Sequence, residues 1–276
     1  MKIISIAEQP CWHLPFLNAG KGPGGFYREI LTVQTGLVDK LPEGLDAIVA
    51  TADLQGRETF DSAGGGPLRL LGEVLPRILA TEILPELGID SQRTGVILAG
   101  DLYTVPALDK RGGSGDVTTV WQAFGREFQW VTGVAGNHDT FGEYYRPASR
   151  MGHKIHYLDG EEVRLSGLCI AGIGGIVGNP RRPQRKTDQQ FAECLERCIH
   201  DNLDILILHD GPGVPDQGLK GSALIRMTVD LLPPRLIIRG HAHWETPLAQ
   251  LPRGTDVLNV DGRVIILRVC NKKSST

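Results

Sequence analysis

The sequence lacks long hydrophobic runs and has no strong excess of charge of either sign. No apolar run approaches the roughly 20 residues that a membrane-spanning helix needs. The first residues hold one lysine, an interrupted apolar stretch and no small-residue cleavage site, so we expect neither a membrane span nor a signal peptide. A formal net charge of −3 and an aromatic content of 6% argue against a surface built for nucleic acid.

Paired cysteines are also missing. The five cysteines are an odd number, and none lies in the Cys-x-x-Cys spacing of metal and redox motifs. Cys194 and Cys198 are four residues apart in a segment that we predict to be helical, where they would share one face. We therefore expect no disulfide framework, and we predict a cytoplasmic protein.

Short β-branched runs alternate with longer amphipathic stretches, which is the pattern of an α/β fold. The runs are almost continuous in Ile, Leu and Val, as expected for strands that are buried on both faces. The 276 residues are enough for one large domain, so we predict a single domain over 1–276 with 1–44 as an N-terminal extension. The predicted strands are Ala47–Ala52, Gly95–Ala99, Trp130–Ala135, Leu168–Ile173, Ile205–Leu208 and Leu236–Arg239.

Two stretches are typical of β-hairpins. Glu162–Ile173 is predicted to turn at Ser166-Gly167, and Val257–Val269 is predicted to turn at Asp261-Gly262. With the buried runs, these hairpins indicate mixed sheets that have parallel centres and antiparallel edges.

Helix signals lie between the strands. Asp116 precedes apolar residues at helical spacing and can cap that helix. Thr187 and Gln190 form a capping-box pattern before a second amphipathic stretch. Pro67–Leu87 is also predicted to be helical, with a break or kink at its internal prolines.

Polar and metal-ligating residues directly follow five of the predicted strands. One such loop could be an ordinary turn, because Asp, Asn and Gly all favour turns. Five of them, at the strand ends where α/β sheets form ligand sites, indicate a metal centre. The five loops are Asp53-Leu54-Gln55-Gly56, Gly100-Asp101, Gly136-Asn137-His138-Asp139, His209-Asp210-Gly211 and Gly240-His241-Ala242-His243.

The order of these loops resembles the calcineurin-like metallophosphoesterase superfamily, over roughly residues 45–270. Gly-Asn-His-Asp and Gly-His-Ala-His are the specific parts of the resemblance, whereas Gly-Asp and the lone His209 gain weight only from their order. The resemblance implies two stacked mixed β-sheets flanked by helices, a four-layer sandwich. It also implies an enzyme that hydrolyses a phosphomonoester or phosphodiester with a metal-bound hydroxide.

The resemblance further implies two metal ions that share one bridging carboxylate. Their mixed nitrogen and oxygen ligands suit Mn, Fe or Zn. The implied ligands are Asp101 as the bridge, Asp53 and His243 for the first metal, and Asn137, His209 and His241 for the second. His138 would protonate the leaving oxygen as a general acid, and Asp139 would orient a neighbouring imidazole.

Gln55 departs from the family pattern, which has histidine at this position. Three alternatives follow: Gln55 ligates the first metal through its amide oxygen, it turns away and leaves a weak first site, or the first metal is lost. Arg57 lies close enough in sequence to contact a bound phosphate, which a guanidinium suits, although a solvated loop charge is an equal alternative. Tyr103 is a further, less favoured ligand candidate, and the stretch Tyr103–Gly115 is placed to form a rim.

The substrate class follows only in part from these patterns. We expect a small phosphate ester, no membrane and no nucleic acid partner, and the sequence leaves the oligomeric state open. A phosphatase and a phosphodiesterase are both compatible with the motifs. The alternative to an enzyme is a catalytically weak or inactive member of the fold that acts as a binding scaffold.

Overall fold

The computed structural model describes residues 1–21, 25–59, 68–144, 147 and 151–269. In chain order its strands are β1 (Ile3–Ile6), β2 (Trp12–Asn18), β3 (Tyr27–Val38), β4 (Ala47–Ala52), β5 (Gly56–Arg57), β6 (Thr94–Leu98), β7 (Gly115–Asp116), β8 (Trp130–Gly133), β9 (Asp139–Thr140), β10 (Ile155–Tyr157), β11 (Glu161–Leu165), β12 (Leu168–Ile173), β13 (Ile176–Val177), β14 (Arg185–Lys186), β15 (Ile205–Leu208), β16 (Leu236–Arg239), β17 (Leu248–Gln250), β18 (Asp256–Asn259) and β19 (Arg263–Val269). Its α-helices are α1 (Leu71–Ile78), α2 (Leu84–Glu86), α3 (Thr118–Glu127), α4 (Asp188–Cys198) and α5 (Ala223–Leu231).

Two mixed sheets form the centre of the molecule. Within the described residues, the first sheet has the order β10-β8-β6-β4-β19-β3-β2-β5, and β1 pairs with β3. The second sheet has the order β11-β12-β15-β16-β18-β17. Both sheets are mixed, as the sequence predicts. The second has parallel strands at the centre and antiparallel pairs at both edges. The first differs from the prediction, because its central pair β4–β19 is antiparallel and its edge pair β10–β8 is parallel.

The sheets stack face to face, and helices cover their outer faces. Alternate residues of a strand enter different layers, so Ile48 packs between the sheets while Val49 packs under the helices. Trp121 of α3 lies in the outer core of the first sheet, and Phe191 of α4 lies in the outer core of the second. The predicted four-layer α/β architecture is therefore confirmed.

The predicted strands are confirmed with small shifts at their ends. β4, β12, β15 and β16 have the predicted bounds, whereas β6 begins one residue earlier and β8 ends at Gly133. The hairpin that turns at Ser166-Gly167 is also confirmed as β11 and β12.

The second predicted hairpin, Val257–Val269, is wrong. β18 lies in the second sheet, where β16 and β17 already occupy both of its edges. β19 lies in the first sheet between β3 and β4. Asp261-Gly262 is a local turn signal, but here it carries the chain from one sheet to the other, and Gly262 N donates to Ala52 O at 3.2 Å.

Thr187 and Gln190 form the predicted reciprocal capping box of α4. The helix predicted after Asp116 is present as α3, but its N-cap is Val117, which makes no side-chain capping bond. Asp116 precedes the cap, and its Oδ1 accepts from Thr118 N at 2.8 Å. The stretch predicted from Pro67 is irregular, with a π-helical turn at Leu79–Ile83 between α1 and α2; Pro67 itself lies outside the described residues. Of the described helices, none is long and apolar enough to span a membrane.

The N-terminal segment is built into the first sheet. β3 pairs in parallel with β19 along the whole of that strand and antiparallel with β2. Leu31 of β3 is 1% exposed and belongs to the core beneath α1 and α3. Residues 1–44 thus supply core side chains as well as strands.

Leu31→Ala should lower the free energy of unfolding by about 2–5 kcal/mol, because it removes a buried side chain from a packed core. Ile30→Ala is the matched control, because the neighbouring side chain is 55% exposed and should change stability by less than about 0.5 kcal/mol. Urea unfolding followed by circular dichroism measures both. Equal, small effects would contradict an integral role for β3.

Candidate metal centre

The five polar loops meet at the edge of the two stacked sheets. Asp101 follows a strand of the first sheet, and its Oδ2 lies 3.5 Å from Nε2 of His209, which follows a strand of the second. The rings of His209 and His241 have centroids 5.0 Å apart, and His241 N donates to Asp53 Oδ2 at 2.9 Å. The two sheets therefore contribute to one site.

Sharp backbone turns place three of these residues. Asp53, Asp101 and His241 have φ values of 55°, 55° and 69°. Non-glycine residues rarely adopt this left-handed conformation, and it costs of order 1–3 kcal/mol. Such strain concentrates at functional sites, where surrounding contacts hold it in place.

Glycines let the loops approach one another closely. A Cβ at Gly136 would collide with the carboxylate of Asp101, and a Cβ at Gly100 would lie 2.7 Å from Nδ1 of His209. A Cβ at Gly240 would collide with Oδ2 of Asp53. The site therefore sterically requires glycine at all three positions.

Three side chains offer ligand atoms to a common point. The ligand atoms of Asp101, His209 and His241 all lie within 4.8 Å of one another. His209 Nδ1 contacts Ala99 O at 2.8 Å, an arrangement that fixes the ring and directs Nε2 to a ligand. Nε2 of His209 and Oδ1 of Asn137 are buried and have no hydrogen-bond partner among the described residues. Because such orphaned atoms are costly, the donor set fits a bound metal ion.

The charges of the site favour a cation. Burial lowers the pKa of His209, but the carboxylates of Asp101 and Asp53 outweigh burial and raise it to about 10. Burial, with the nearby Asp261, raises the pKa of Asp53 well above its ordinary value. Burial and the neighbouring His209 lower the pKa of His241 to about 4. The field that stabilises a proton on His209 would equally stabilise a metal ion.

Residues 47–245 match the family model described as calcineurin-like phosphoesterase. The chain belongs to this family. Membership indicates phosphoester hydrolysis as the class of reaction, and it agrees with the order of the five loops.

Solved structures with a similar fold include TT1561 of Thermus thermophilus, with a TM-score of 0.52 and 16% identity over 78% of this chain and 88% of that chain. Phosphopantetheinyl hydrolase (PptH) from Mycobacterium tuberculosis is similar at a TM-score of 0.43 and 12% identity, over 78% of this chain and 88% of that one. None of the curated proteins compared with the chain matches it. At 16% identity the similarity to TT1561 concerns the fold.

Gln55, the residue that departs from the family pattern, lies at the centre of this phosphoesterase site. Its Nε2 donates to Oδ2 of Asp101 at 3.1 Å. The side chain is therefore beside the expected bridging carboxylate and not turned away from it. With Nε2 committed to Asp101, the amide oxygen remains as the ligand atom that Gln55 can offer.

His243 and a residue that the sequence analysis missed form the outer side of the site. His243 is exposed, and its Nδ1 lies 4.0 Å from Oδ2 of Asp261. Burial raises the pKa of Asp261. Burial, together with the negative charge of Asp261, raises the pKa of Asp53. Asp261 follows β18 at a strand end, the same signal that marks the other five loops, but Asp-Gly is also a typical hairpin-turn sequence.

Asp139 has a different set of contacts from the one expected. Its Oδ2 accepts from the backbone N–H groups of Asp101 and Gly136, both at 2.8 Å, and its Oδ1 accepts from Leu102 N at 2.8 Å. In the described part of the chain, no imidazole donates to this carboxylate. Burial and the neighbouring Asp101 raise its pKa to about 6. Asp139 therefore ties the His138 loop to the Asp101 loop, in place of the predicted orientation of a histidine ring.

Arg57 is also positioned differently from the prediction that it contacts substrate. Its side chain is buried, at 6% exposure. Nε donates to Val105 O at 3.2 Å, Nη2 donates to Thr104 O at 2.8 Å, and Nη1 donates to Leu68 O. Because backbone carbonyls engage all three nitrogens, Arg57 fixes the base of the loop that follows Asp101.

A cavity of about 630 Å³ opens beside the site and has the size of a small-molecule pocket. Its lining includes Asp53 and His241 of the candidate site, residues of the N-terminal strands and residues of the 103–115 stretch. The predicted rim is thus present. Tyr103 packs its ring against Gly113 and Gly115 within that rim.

Asp139→Asn should lower the free energy of unfolding by about 1–3 kcal/mol and reduce bound metal, because an amide has one acceptor oxygen where the carboxylate uses two. Urea unfolding and elemental analysis measure these effects.

Asp204→Asn is the matched control. Asp204 accepts one backbone N–H, from Cys169 at 3.0 Å, and an amide oxygen can still accept that bond. Equal stability and metal content in the two variants would rule out the bracing role of Asp139.

Proposed function

We propose that this phosphoesterase hydrolyses small phosphate esters with two divalent cations held around Asp101. The observation that carries the proposal is the pair of buried ligand atoms without partners, Asn137 Oδ1 and His209 Nε2, beside the carboxylate of Asp101. A buried polar group without a partner costs about 1–3 kcal/mol. A metal ion that both atoms coordinate would remove this cost.

Asp101 contacts His209 and Gln55, and the ligand atoms of Asp101, His209 and His241 lie within 4.8 Å of one another. These contacts support part of the ligand set, and the family pattern completes it. Asp101 lies between the two sides of the site, with Asn137, His209 and His241 for one cation and Asp53, Gln55 and His243 for the other. These nitrogen and oxygen donors suit Mn, Fe or Zn. Cations bound there would activate water and neutralise charge on the phosphate oxygens.

His138 is the proposed general acid. Its backbone N–H donates to Asp101 Oδ1 at 2.9 Å, so the same carboxylate that holds the cations also positions the acid. Its Nδ1 is buried and has no hydrogen-bond partner among the described residues, which leaves the ring available for proton transfer. A proton from this ring would go to the leaving oxygen as the ester bond breaks.

The cavity supports a small substrate. Its volume of about 630 Å³ is that of a pocket for a metabolite-sized ligand. The proposed substrates include both phosphomonoesters and phosphodiesters with a small leaving group. We also propose that residues 1–44 belong to the same catalytic unit, since β2 and β3 line the cavity.

His138→Ala should lower kcat/KM by about 10²–10⁴-fold on a substrate that needs acid assistance, while metal content stays unchanged. The loss should be larger for phenyl phosphate than for 4-nitrophenyl phosphate, because nitrophenol is more acidic and leaves with less help. Initial rates with added Mn, on these monoesters and the corresponding diesters, measure both effects.

His153→Ala is the control for loss of a histidine outside the site. Equal losses on both leaving groups would show that His138 does not act as the acid. A wild-type protein that hydrolyses none of the esters in added Mn would favour the binding-scaffold alternative.

Gln55→His should tighten the binding of Zn by about tenfold or more, because imidazole is a stronger ligand than a carboxamide for ions of this class. Competition with a chromogenic chelator gives the dissociation constants. Gln189→His, on the exposed face of α4, controls for the addition of a surface histidine. An affinity that does not change in Gln55→His would mean that residue 55 does not contact a metal.

A further inference from the structure

Two segments outside the five motif loops also line the cavity. One consists of β2, the adjoining Ala19 and β3, which contribute Asn18, Ala19 and Tyr27. The other is the stretch 103–115, which contributes Thr104, Arg111 and Gly112. The first segment precedes residue 47, where the family match begins, so it lies outside the matched region.

Arg111 is held in place where these two segments meet. Its Nε donates to Ala19 O at 3.0 Å, and its Nη2 donates to the hydroxyl of Tyr27. Its guanidinium carbon lies 5.1 Å from the centroid of the Tyr27 ring. These contacts orient the guanidinium and leave Nη1 without a hydrogen-bond acceptor among the described residues. An oriented guanidinium with a spare donor edge is suited to an oxyanion.

The chain next to Arg111 packs against the proposed general acid. Gly112 has a φ of 69°, and a Cβ there would lie 3.2 Å from Cε1 and 3.5 Å from Nε2 of His138. Gly115 N donates to His138 O at 3.1 Å. Because His138 protonates the leaving oxygen in the proposed function, this part of the cavity receives the leaving alcohol.

The other charged groups along the cavity have different surroundings. Arg263 is buried and donates to the carbonyl oxygens of Trp244 and Asp261, and its Nη2 lies 3.5 Å from Nε2 of His243. Glu29 accepts from Asn18 Nδ2 at 2.5 Å. Burial and the charge of Glu29 raise the pKa of Tyr27, whereas Arg111 lowers it. The carboxylates of Asp53, Glu245 and Asp261 also line the cavity. Among the described arginines that line the cavity, Arg111 is thus the exposed one with an unused donor edge.

We propose that Arg111 binds an oxyanion on the leaving alcohol, so that the enzyme prefers phosphate esters of anionic alcohols to esters of neutral alcohols. This inference rests on the proposed function, because it assigns the leaving-group side from His138. Tyr27 acts as a positioning residue for the guanidinium.

The test compares three leaving groups that share a phenol ring: phenol, 3-hydroxybenzoate and 3-hydroxyphenylphosphonate. Each is presented as the phosphate monoester and as the methyl phosphodiester, with Mn, and kcat/KM is measured from release of the phenol. The wild-type enzyme should prefer the esters with anionic leaving groups. Comparison of the carboxylate ester with the phosphonate ester shows which of the two anionic groups is recognised.

Arg111→Met should reduce the preference, taken as the ratio of kcat/KM for anionic over neutral esters, by about tenfold or more, the size expected for a lost hydrogen bond to a charged group. Arg111→Lys should keep part of the preference, and Tyr27→Phe should reduce it less than Arg111→Met. Arg126→Met, an exposed arginine on α3, should leave the ratio unchanged. Circular dichroism and metal content check that the variants fold.

Two results would overturn the inference, and they differ. If the wild-type enzyme hydrolyses the esters but Arg111→Met has the wild-type ratio, Arg111 does not bind the leaving group and the proposed function stands. If the wild-type enzyme hydrolyses none of the esters, the proposed function fails and this inference fails with it.

Discussion

The carboxylate of Asp101 is the interaction on which the rest of the site depends. Its Oδ1 accepts the backbone N–H of His138, while its Oδ2 accepts from Gln55 and lies 3.5 Å from His209. Its own backbone N–H is held by Asp139. One buried carboxylate therefore connects loops from both sheets, and its charge makes the site favourable for cations. Without it, the buried imidazole of His209 would lose its nearest opposite charge.

The surroundings of Asp101 explain several features that look unrelated in the sequence. Gly136 leaves room for the carboxylate, and the left-handed backbone at Asp101 turns the chain at the strand end. Arg57 holds the carbonyls of Thr104 and Val105, which begin the stretch that carries Arg111. The candidate metal centre and the 103–115 stretch that lines the cavity are thus parts of one connected arrangement of loops.

The sequence predicted the elements whose signals are local. The strand at Ala47–Ala52 and the capping box at Thr187 follow from short-range patterns, and the five strand-end loops follow from residue type and order. Strand pairing between residues distant in sequence could not be predicted in the same way. The Asp261-Gly262 turn signal does not reveal that β18 already pairs with β16 and β17. The role of Arg57 could not be predicted either, because a guanidinium suits a phosphate and a carbonyl equally well, and only the fold brings Thr104 and Leu68 beside it.

The most direct test of this account is the number and position of metal ions in protein purified without chelator. Elemental analysis gives the stoichiometry, and anomalous diffraction from crystals grown with Mn gives the positions. The account predicts two ions per chain, both coordinated by Asp101, with Asn137 and His209 on one of them. A single ion, no ion, or ions bound away from Asp101 would contradict it.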